Sequence, residues 1–269
     1  MKERNGSQMI VAVDVGNTET SLGVFSEGAL VATWTITTAG SMTADEAFAA
    51  LSNALDYMEG KAAAETASFA IGDAVLSSVV PHLTAAWEAA LRALTGRRPL
   101  TVGPGVKTGI RMRYRDPAEV GADRMADLAA ALAKYEPPLI IVDLGTTTNF
   151  EVIDGEGVFL GGIIAPGMAL GARSLAREAA KLPVIEVAAP KSVIGTCTRE
   201  AVQSGVVLGE IARIDGLIDM IERETGEDCS VVVTGSDARA IASLLQHDAT
   251  PDETLTLRGL ARLHVMNRK

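Results

Sequence analysis

A chain of 269 residues, 48% hydrophobic and 22% charged, has the size for one large domain or two ordinary lobes and is too apolar for a disordered polymer. A formal net charge of -10 with no Lys/Arg-rich block argues against a nucleic-acid partner, and two cysteines, Cys197 and Cys229, exclude a disulfide scaffold and point to a reducing cytoplasm. The polar residues 1 to 8 precede an apolar run that stops at Asp14, so they read as a flexible tail, with no signal peptide and no membrane span.

In chain order, Met9 to Val15, Thr20 to Phe25 and Leu30 to Thr35 are short β-like runs separated by Gly-containing turns, the pattern of an antiparallel meander. Ala and Leu then recur at helical spacing over Asp45 to Met58 and Leu83 to Leu94. Between them, Ala74 to Val79 reads as a strand that ends before Pro81. The order is βββαβα. A further helix begins at Asp123 and is ended by the pair Pro137-Pro138. That break predicts an N-terminal lobe of residues 9 to 136 and a C-terminal lobe of residues 137 to 269.

The second lobe repeats the grammar. Leu139 to Leu144, Asn149 to Ile153 and Val158 to Ile164 read as three strands, with turns at Gly145 and at Asp154-Gly155-Glu156-Gly157. Helical patterns follow over Leu170 to Lys181 and Arg199 to Glu224. A strand at Ser230 to Thr234 and helices near Ala238 to Leu245 and Leu255 to Val265 complete the chain.

The first strand of each lobe ends in nearly the same phrase, Asp14-Val15-Gly16-Asn17-Thr18 and Asp143-Leu144-Gly145-Thr146-Thr147. Gly lets the backbone turn tightly and present N–H groups, Thr or Asn adds a hydrogen bond, and a carboxylate at a strand end can hold hydrated Mg²⁺. One copy alone reads equally as a hairpin turn made of common turn formers. Two copies, each the first turn of a matching lobe, favour two phosphate loops facing each other across a cleft. Val231-Val232-Val233-Thr234-Gly235-Ser236 is placed for an adenine-side loop. The chain has no G-x-G-x-x-G and no G-x-x-x-x-G-K-[ST], which disfavours a nicotinamide-binding fold and a Walker-type kinase. His82, His247 and His264 are scattered, without metal-ligand spacing.

The duplicated meander with both loops resembles the superfamily of acetate and sugar kinases, Hsp70 and actin. That likeness implies an α/β fold of two duplicated ribonuclease H-like/actin-like ATPase lobes with a nucleotide cleft between them. Within it, Asp14 to Thr18, Leu76-Ser77-Ser78-Val79-Val80-Pro81, Gly105-Val106-Lys107-Thr108-Gly109, Gly121-Ala122-Asp123-Arg124, Asp143 to Thr147 and Gly161-Gly162-Ile163-Ile164-Ala165-Pro166-Gly167 stand in the order of type III pantothenate kinase. The resemblance runs over nearly the whole chain and implies ATP-dependent phosphorylation of pantothenate, the entry step of coenzyme A synthesis.

Phosphoryl transfer to an alcohol needs positioning, charge neutralisation and a proton acceptor. By the likeness, Asp123 is the general base, Arg124 binds the substrate and steadies the transferring phosphoryl, and Gly121 and Ala122 complete that substrate motif. On position alone Asp123 also suits the N-cap of the helix that follows. The likeness further implies that Asp14 acts through Mg²⁺, with Gly16, Asn17 and Thr18 on the terminal phosphates of ATP. Asp143 would support a monovalent cation, K⁺ or NH₄⁺, with Gly145, Thr146 and Thr147 on the other phosphates. Tyr114 falls where the family has a substrate-contacting aromatic, and Thr198 where it has a threonine reaching pantothenate from the partner subunit. A homodimer is implied, with the helix from Arg199 as its interface. Read locally, Tyr114 suits a solvated strand, Thr198 a helix cap, and the periodic Ile and Leu of that helix the lobe's own core.

The chain departs from the family's usual D-F-G-T-A-T-T-F-D at the second loop, where Thr147 replaces a small Ala and Glu151 a shorter Asp. Cys197 stands for the usual Asn before the substrate Thr, and the late T-G-G has become Thr234-Gly235-Ser236, with a side chain that would crowd the adenine side. A changed cation or nucleotide preference is therefore expected at the second loop. The same changes motivate a rival reading, a non-catalytic relative acting as a ligand-binding regulator. Retention of Asp14, Asp123 and Arg124 together argues against it.

Overall fold

The computed structural model describes residues 9–62, 69–179 and 182–268; the tail expected at residues 1 to 8 and the end of the helix expected up to Lys181 lie outside them. The chain forms two compact units, and they are not the two halves of a single cut at residue 136. The first holds the described residues through Gly109, then Asp116–Ala133, then those from Leu255 onward. The second holds Ile110–Arg115 and Lys134–Thr254.

In the first unit, β1 (Met9–Val15), β2 (Glu19–Ser26) and β3 (Ala29–Thr37) form the expected meander. Helix α1 (Ala44–Ala62) opens on a capping box in which the Thr43 N–H donates to Glu46 Oε2 at 2.8 Å and the Glu46 N–H to Thr43 Oγ1 at 3.2 Å. It leads to β4 (Ile71–Ser78), parallel to β1. Then α2 (Pro81–Thr95) leads to β5 (Leu100–Thr101), giving the sheet order β3-β2-β1-β4-β5. Pro81 does more than stop β4: it is the first residue of α2, where its missing N–H would have had no helical partner. Alternation along β1 sends Val11, Val13 and Val15 into a core with Leu51 of α1 and Leu83, Trp87 and Leu91 of α2. Each apolar side chain taken fully out of water there is worth about 1.5–3 kcal/mol.

The short strand β6 (Arg111–Met112) joins the second unit, and α3 (Ala122–Lys134) belongs, up to Ala133, to the first. In the second unit β7 (Leu139–Leu144), β8 (Thr147–Ile153) and β9 (Val158–Pro166) repeat the meander. Helix α4 (Met168–Glu178) follows. The single helix expected from Arg199 to Glu224 is α5 (Thr198–Gln203), a wider π-type turn (Ser204–Leu208) and α6 (Gly209–Thr225) in one unbroken run. Strand β10 (Ser230–Gly235) pairs parallel with β7, and α7 (Ala238–Ala242), three residues shorter than expected, leads to β11 (Ala249–Pro251). The order is β11-β10-β7-β8-β9-β6. Each unit thus carries a meander with a parallel strand laid beside its first strand. The isoleucines of α6, Ile211, Ile214, Ile218 and Ile221, are buried with Ile140, Val142 and Phe150, so of the two uses read for this row the unit's own core is the one it serves here.

The last helix, α8 (Leu255–Asn267), packs on β1, β2 and β4 of the first unit, which is why the expected lobe of residues 137 to 269 loses its end. Leu255, Leu257, Leu260 and Leu263 are buried, and Thr256 Oγ1 donates to Asp127 Oδ1 of α3 at 2.7 Å. His264 of α8 is 6% exposed, and burial holds its pKa below the ordinary 6.5. The unfolded chain therefore takes up a proton that the folded chain resists. This contribution to stability is present above pH 6.5 and is lost as the pH falls below it. We expect His264→Gln to flatten the fall of Tm between neutral pH and mild acid; an unchanged slope would remove this histidine as a cause.

Candidate functional site

Asp14 is half-buried, one residue from the end of β1, on the sheet face opposite Val13 and Val15. Register places Ser21 of β2 on one side of it and Ser77 of β4 on the other, so three oxygen-bearing side chains share that face. Ser77 is fully buried, and among the described residues its hydroxyl has no hydrogen-bond partner. Such orphans are rare in a folded chain. The turn beyond Asp14 is closed by the Gly16 N–H to the Glu19 carbonyl at 3.0 Å. It is pinned by Thr38, whose N–H donates to the Thr18 carbonyl and whose Oγ1 donates to the Gly16 carbonyl, both at 2.8 Å. Asn17 and Thr18 stand exposed at its tip.

Just past β4 the Val79 N–H donates to the Val15 carbonyl at 3.1 Å, and the Val79 side chain lies against Gly121. Gly121, Ala122, Asp123 and Arg124 are thereby brought to the same end of the first unit as the Asp14 turn. Helix α3 begins at Ala122, so Asp123 is inside its first turn and is not the cap. Its Oδ1 accepts the Arg124 N–H at 2.8 Å. A carboxylate there is favoured by the exposed N–H groups and dipole of the helix. Asp123 is half-buried, whereas Arg124 is only 5% exposed.

In the second unit the phrase recurs on a tighter turn. Asp14 pairs with Ser21, but Asp143 pairs with Asn149, one residue sooner after the aspartate. The Gly145 N–H donates to the Thr147 carbonyl at 3.0 Å, and Thr147 already lies in β8. Two further glycines close on this turn. The Gly167 N–H donates to the Thr146 carbonyl at 3.0 Å, and a methyl group on Gly167 would collide with the carbonyls of Gly145 and Thr146. Gly235, at φ +98°, lies so close to the backbone of Leu144 that no side chain fits. Arg213 of α6, paired with Glu210, donates to the Pro166 carbonyl at 2.7 Å and so steadies the strand end that carries Gly167. Ser236, expected to crowd a ligand, is exposed.

Strand register sets Asp143, Asn149, Glu151 and Thr234 on the face opposite the Ile140 and Phe150 core. Glu151, longer than the aspartate expected there, is wholly buried. Asn149 is 6% exposed, and its Oδ1 has no partner among the described residues. Neither Ser77, quoted only as part of the Leu76 to Pro81 block, nor Asn149 was given a role from the chain. The signal was available for both: in a strand, a polar residue directly across from a site aspartate must share its face.

Tyr114 lies just outside β6 and stacks on Phe159 of β9, ring centroids 5.6 Å apart and planes 9° from parallel. It is a packed ring and not a solvated strand residue. Thr198 is the exposed first residue of α5, and the cap is Cys197, without a side-chain bond. The Thr196 N–H and Oγ1 instead donate to Glu200 Oε2 at 2.8 and 2.9 Å. Thr198 and Cys197 line a pocket of about 640 Å³ with Leu175, Leu182 and Val202. The expected site residues thus fall into two sets: Asp14 to Thr18 with Gly121 to Arg124 in the first unit, and Asp143 to Thr147 with Tyr114 and Thr198 in the second.

Among the described residues no helix is long and apolar enough to cross a membrane. The sequence profile of one family, described as type III pantothenate kinase, matches residues 10–220. Proteins named type III pantothenate kinase from Exiguobacterium sibiricum, Anaeromyxobacter dehalogenans (strain 2CP-C) and Syntrophotalea carbinolica are 41%, 40% and 39% identical to this chain over 260 residues. Each alignment covers 97% of this chain and 100% of the relative. Among solved structures, the ethanolamine utilization protein EutJ from Carboxydothermus hydrogenoformans gives a TM-score of 0.55 at 18% identity, covering 95% of this chain and 89% of that one. The activator of the 2-hydroxyisocaproyl-CoA dehydratase from Clostridium difficile, with bound ADPNP, gives 0.52 at 14% identity, covering 97% and 95%. These two likenesses bear on the fold alone, the actin-like ATPase fold.

Proposed function

Because the chain belongs to the type III pantothenate kinase family, we infer that it transfers the terminal phosphoryl group of ATP to the primary hydroxyl of pantothenate, the first step of coenzyme A synthesis. Near-full-length identity of about 40% to enzymes of that name carries the reading. No observation favours the regulator.

Asp123 takes the hydroxyl proton. Its Oδ1 is held by the Arg124 N–H, which orients the carboxylate and leaves Oδ2 to act as the base. Arg124 supplies a fixed positive charge to the substrate and the transferring phosphoryl, and Gly121 and Ala122 shape the turn that admits pantothenate. Gly16, Asn17 and Thr18 receive the terminal phosphates, and Gly145, Thr146 and Thr147 the others. Asp14, Ser21 and the orphaned hydroxyl of Ser77 are hard oxygen donors that fit a hydrated Mg²⁺, which when bound neutralises phosphate charge. Asp143, Thr234 and the unpartnered Asn149 Oδ1 are the matching oxygens for a monovalent cation, K⁺ or NH₄⁺. Tyr114 contacts substrate, and Thr198 does so from a partner subunit in a cytoplasmic homodimer, which light scattering would detect as a doubled mass.

Purified protein given pantothenate, ATP, Mg²⁺ and K⁺ should release ADP and phosphopantothenate; a folded protein that makes neither would sink the kinase reading. Asn149→Leu, which removes both polar atoms without leaving one unpaired, should raise the K⁺ concentration needed for half-maximal rate while leaving KM for pantothenate unchanged. An unaltered K⁺ requirement would move the cation elsewhere.

A further inference from the structure

A second set of ligating groups lies along α6. Asp215, Asp219 and Glu222 recur at i, i+4 and i+7 and so share one helix face. His247, from the segment between α7 and β11, leans against that face. Its Nδ1 is 2.9 Å from Asp215 Oδ1, and its Nε2 is 3.2 Å from Asp219 Oδ1.

Asp215 is 7% exposed and also accepts the backbone N–H of Gln246, at 3.0 Å, and of His247, at 3.4 Å. A carboxylate so placed is an acceptor only, so the ring proton sits on Nδ1 and the Nε2 lone pair faces Asp219 and Glu222. This is the carboxylate–histidine arrangement that orients metal-binding imidazoles in proteins generally. Glu222 is fixed too: its Oε1 accepts the Cys229 N–H at 3.0 Å, which leaves Oε2. One ligand atom each from Asp219, Glu222 and His247 lies within 4.8 Å of the other two. An ion bonded tetrahedrally at about 2.0–2.2 Å spaces its ligands roughly 3.3 Å apart, close to the Nε2 to Oδ1 separation of 3.2 Å.

We propose that Asp219, Glu222 and His247 bind a divalent transition-metal ion, with Asp215 as the outer carboxylate that orients the imidazole. One imidazole with two carboxylates suits Zn²⁺ or Co²⁺ better than Mg²⁺, which prefers oxygen alone. The ion ties α6 to the segment that feeds β11, the edge strand of the second sheet.

The test is titration of EDTA-treated full-length protein with Co²⁺, followed by visible absorption, and with Zn²⁺, followed by calorimetry, in excess Mg²⁺. The wild type should show Co²⁺ bands that vanish in His247→Gln. Affinity should fall at least about tenfold in Asp219→Asn, an exposed position where the fold is not at risk, and about 10–100-fold in Asp215→Asn. Kinase turnover without added Zn²⁺ should match wild type in His247→Gln and Asp219→Asn, which keeps this test separate from that of the kinase itself. No binding by the wild type, or equal affinity in the wild type and Asp219→Asn, would overturn the site.

Discussion

Asp123→Asn is expected to lower kcat by about 10²–10⁴-fold, the usual size of a general-base contribution, with KM for ATP and Tm near wild type. The amide keeps the shape of the carboxylate and an oxygen to accept the Arg124 N–H, so α3 can still begin at Ala122. What it loses is the ability to take a proton at neutral pH. Single-turnover kinetics with excess enzyme separate the chemical step from product release. Full turnover by a folded variant would reduce Asp123 to a helix-terminal charge of structural value only.

Gly259→Ala should show the largest loss of stability from the smallest added group. In isolation the change favours a helix by about 1 kcal/mol. Gly259, however, sits where α8 crosses α3, and a methyl group there would overlap the backbone carbonyl of Ala126. An overpacked side chain often finds another rotamer, at a cost of about 1–3 kcal/mol. A main-chain carbonyl inside a helix has none, so the two helices must separate. The burial of Leu257, Leu260 and Leu263 goes with them. A net loss of roughly 2 kcal/mol lowers Tm by about 4–8 °C in a protein of this size. A Tm equal to or above wild type would mean that the α3–α8 crossing is looser than described.

The parts of the fold that could be read from the chain were those that repeat a period. Val11, Val13 and Val15 alternate into a core, and the same alternation in β7 and β8 made the duplication visible. Strands β5, β6 and β11 span two or three residues, too few for any alternation, and their places follow from the strands they pair with. The wide turn at Ser204–Leu208 leaves the apolar pattern of the helix intact and so was hidden within it. Helix α8 was recognised as a helix but assigned to the wrong partner, because amphipathicity says that a face is buried and not which sheet buries it. At the site, the phrases opened by Asp14 and Asp143 were plain. The difference between them, a turn shorter by one residue in the second, becomes visible only once Asn149 is seen opposite Asp143. Ser77, quoted only within a motif block, and Asn149 carried no assigned role until their burial without partners among the described residues set them apart.

The return of α8 to the first sheet has a consequence for synthesis. A chain leaves the ribosome from its N-terminus, so β1 to β5 emerge early, yet one face of their sheet stays uncovered until Leu255 and the residues after it have been made. The second unit ends at Thr254 and is therefore complete first. The first unit thus waits on residues made after the whole of the second for one of its packing layers, and a chain halted anywhere before residue 255 leaves β1, β2 and β4 without the helix that packs on them.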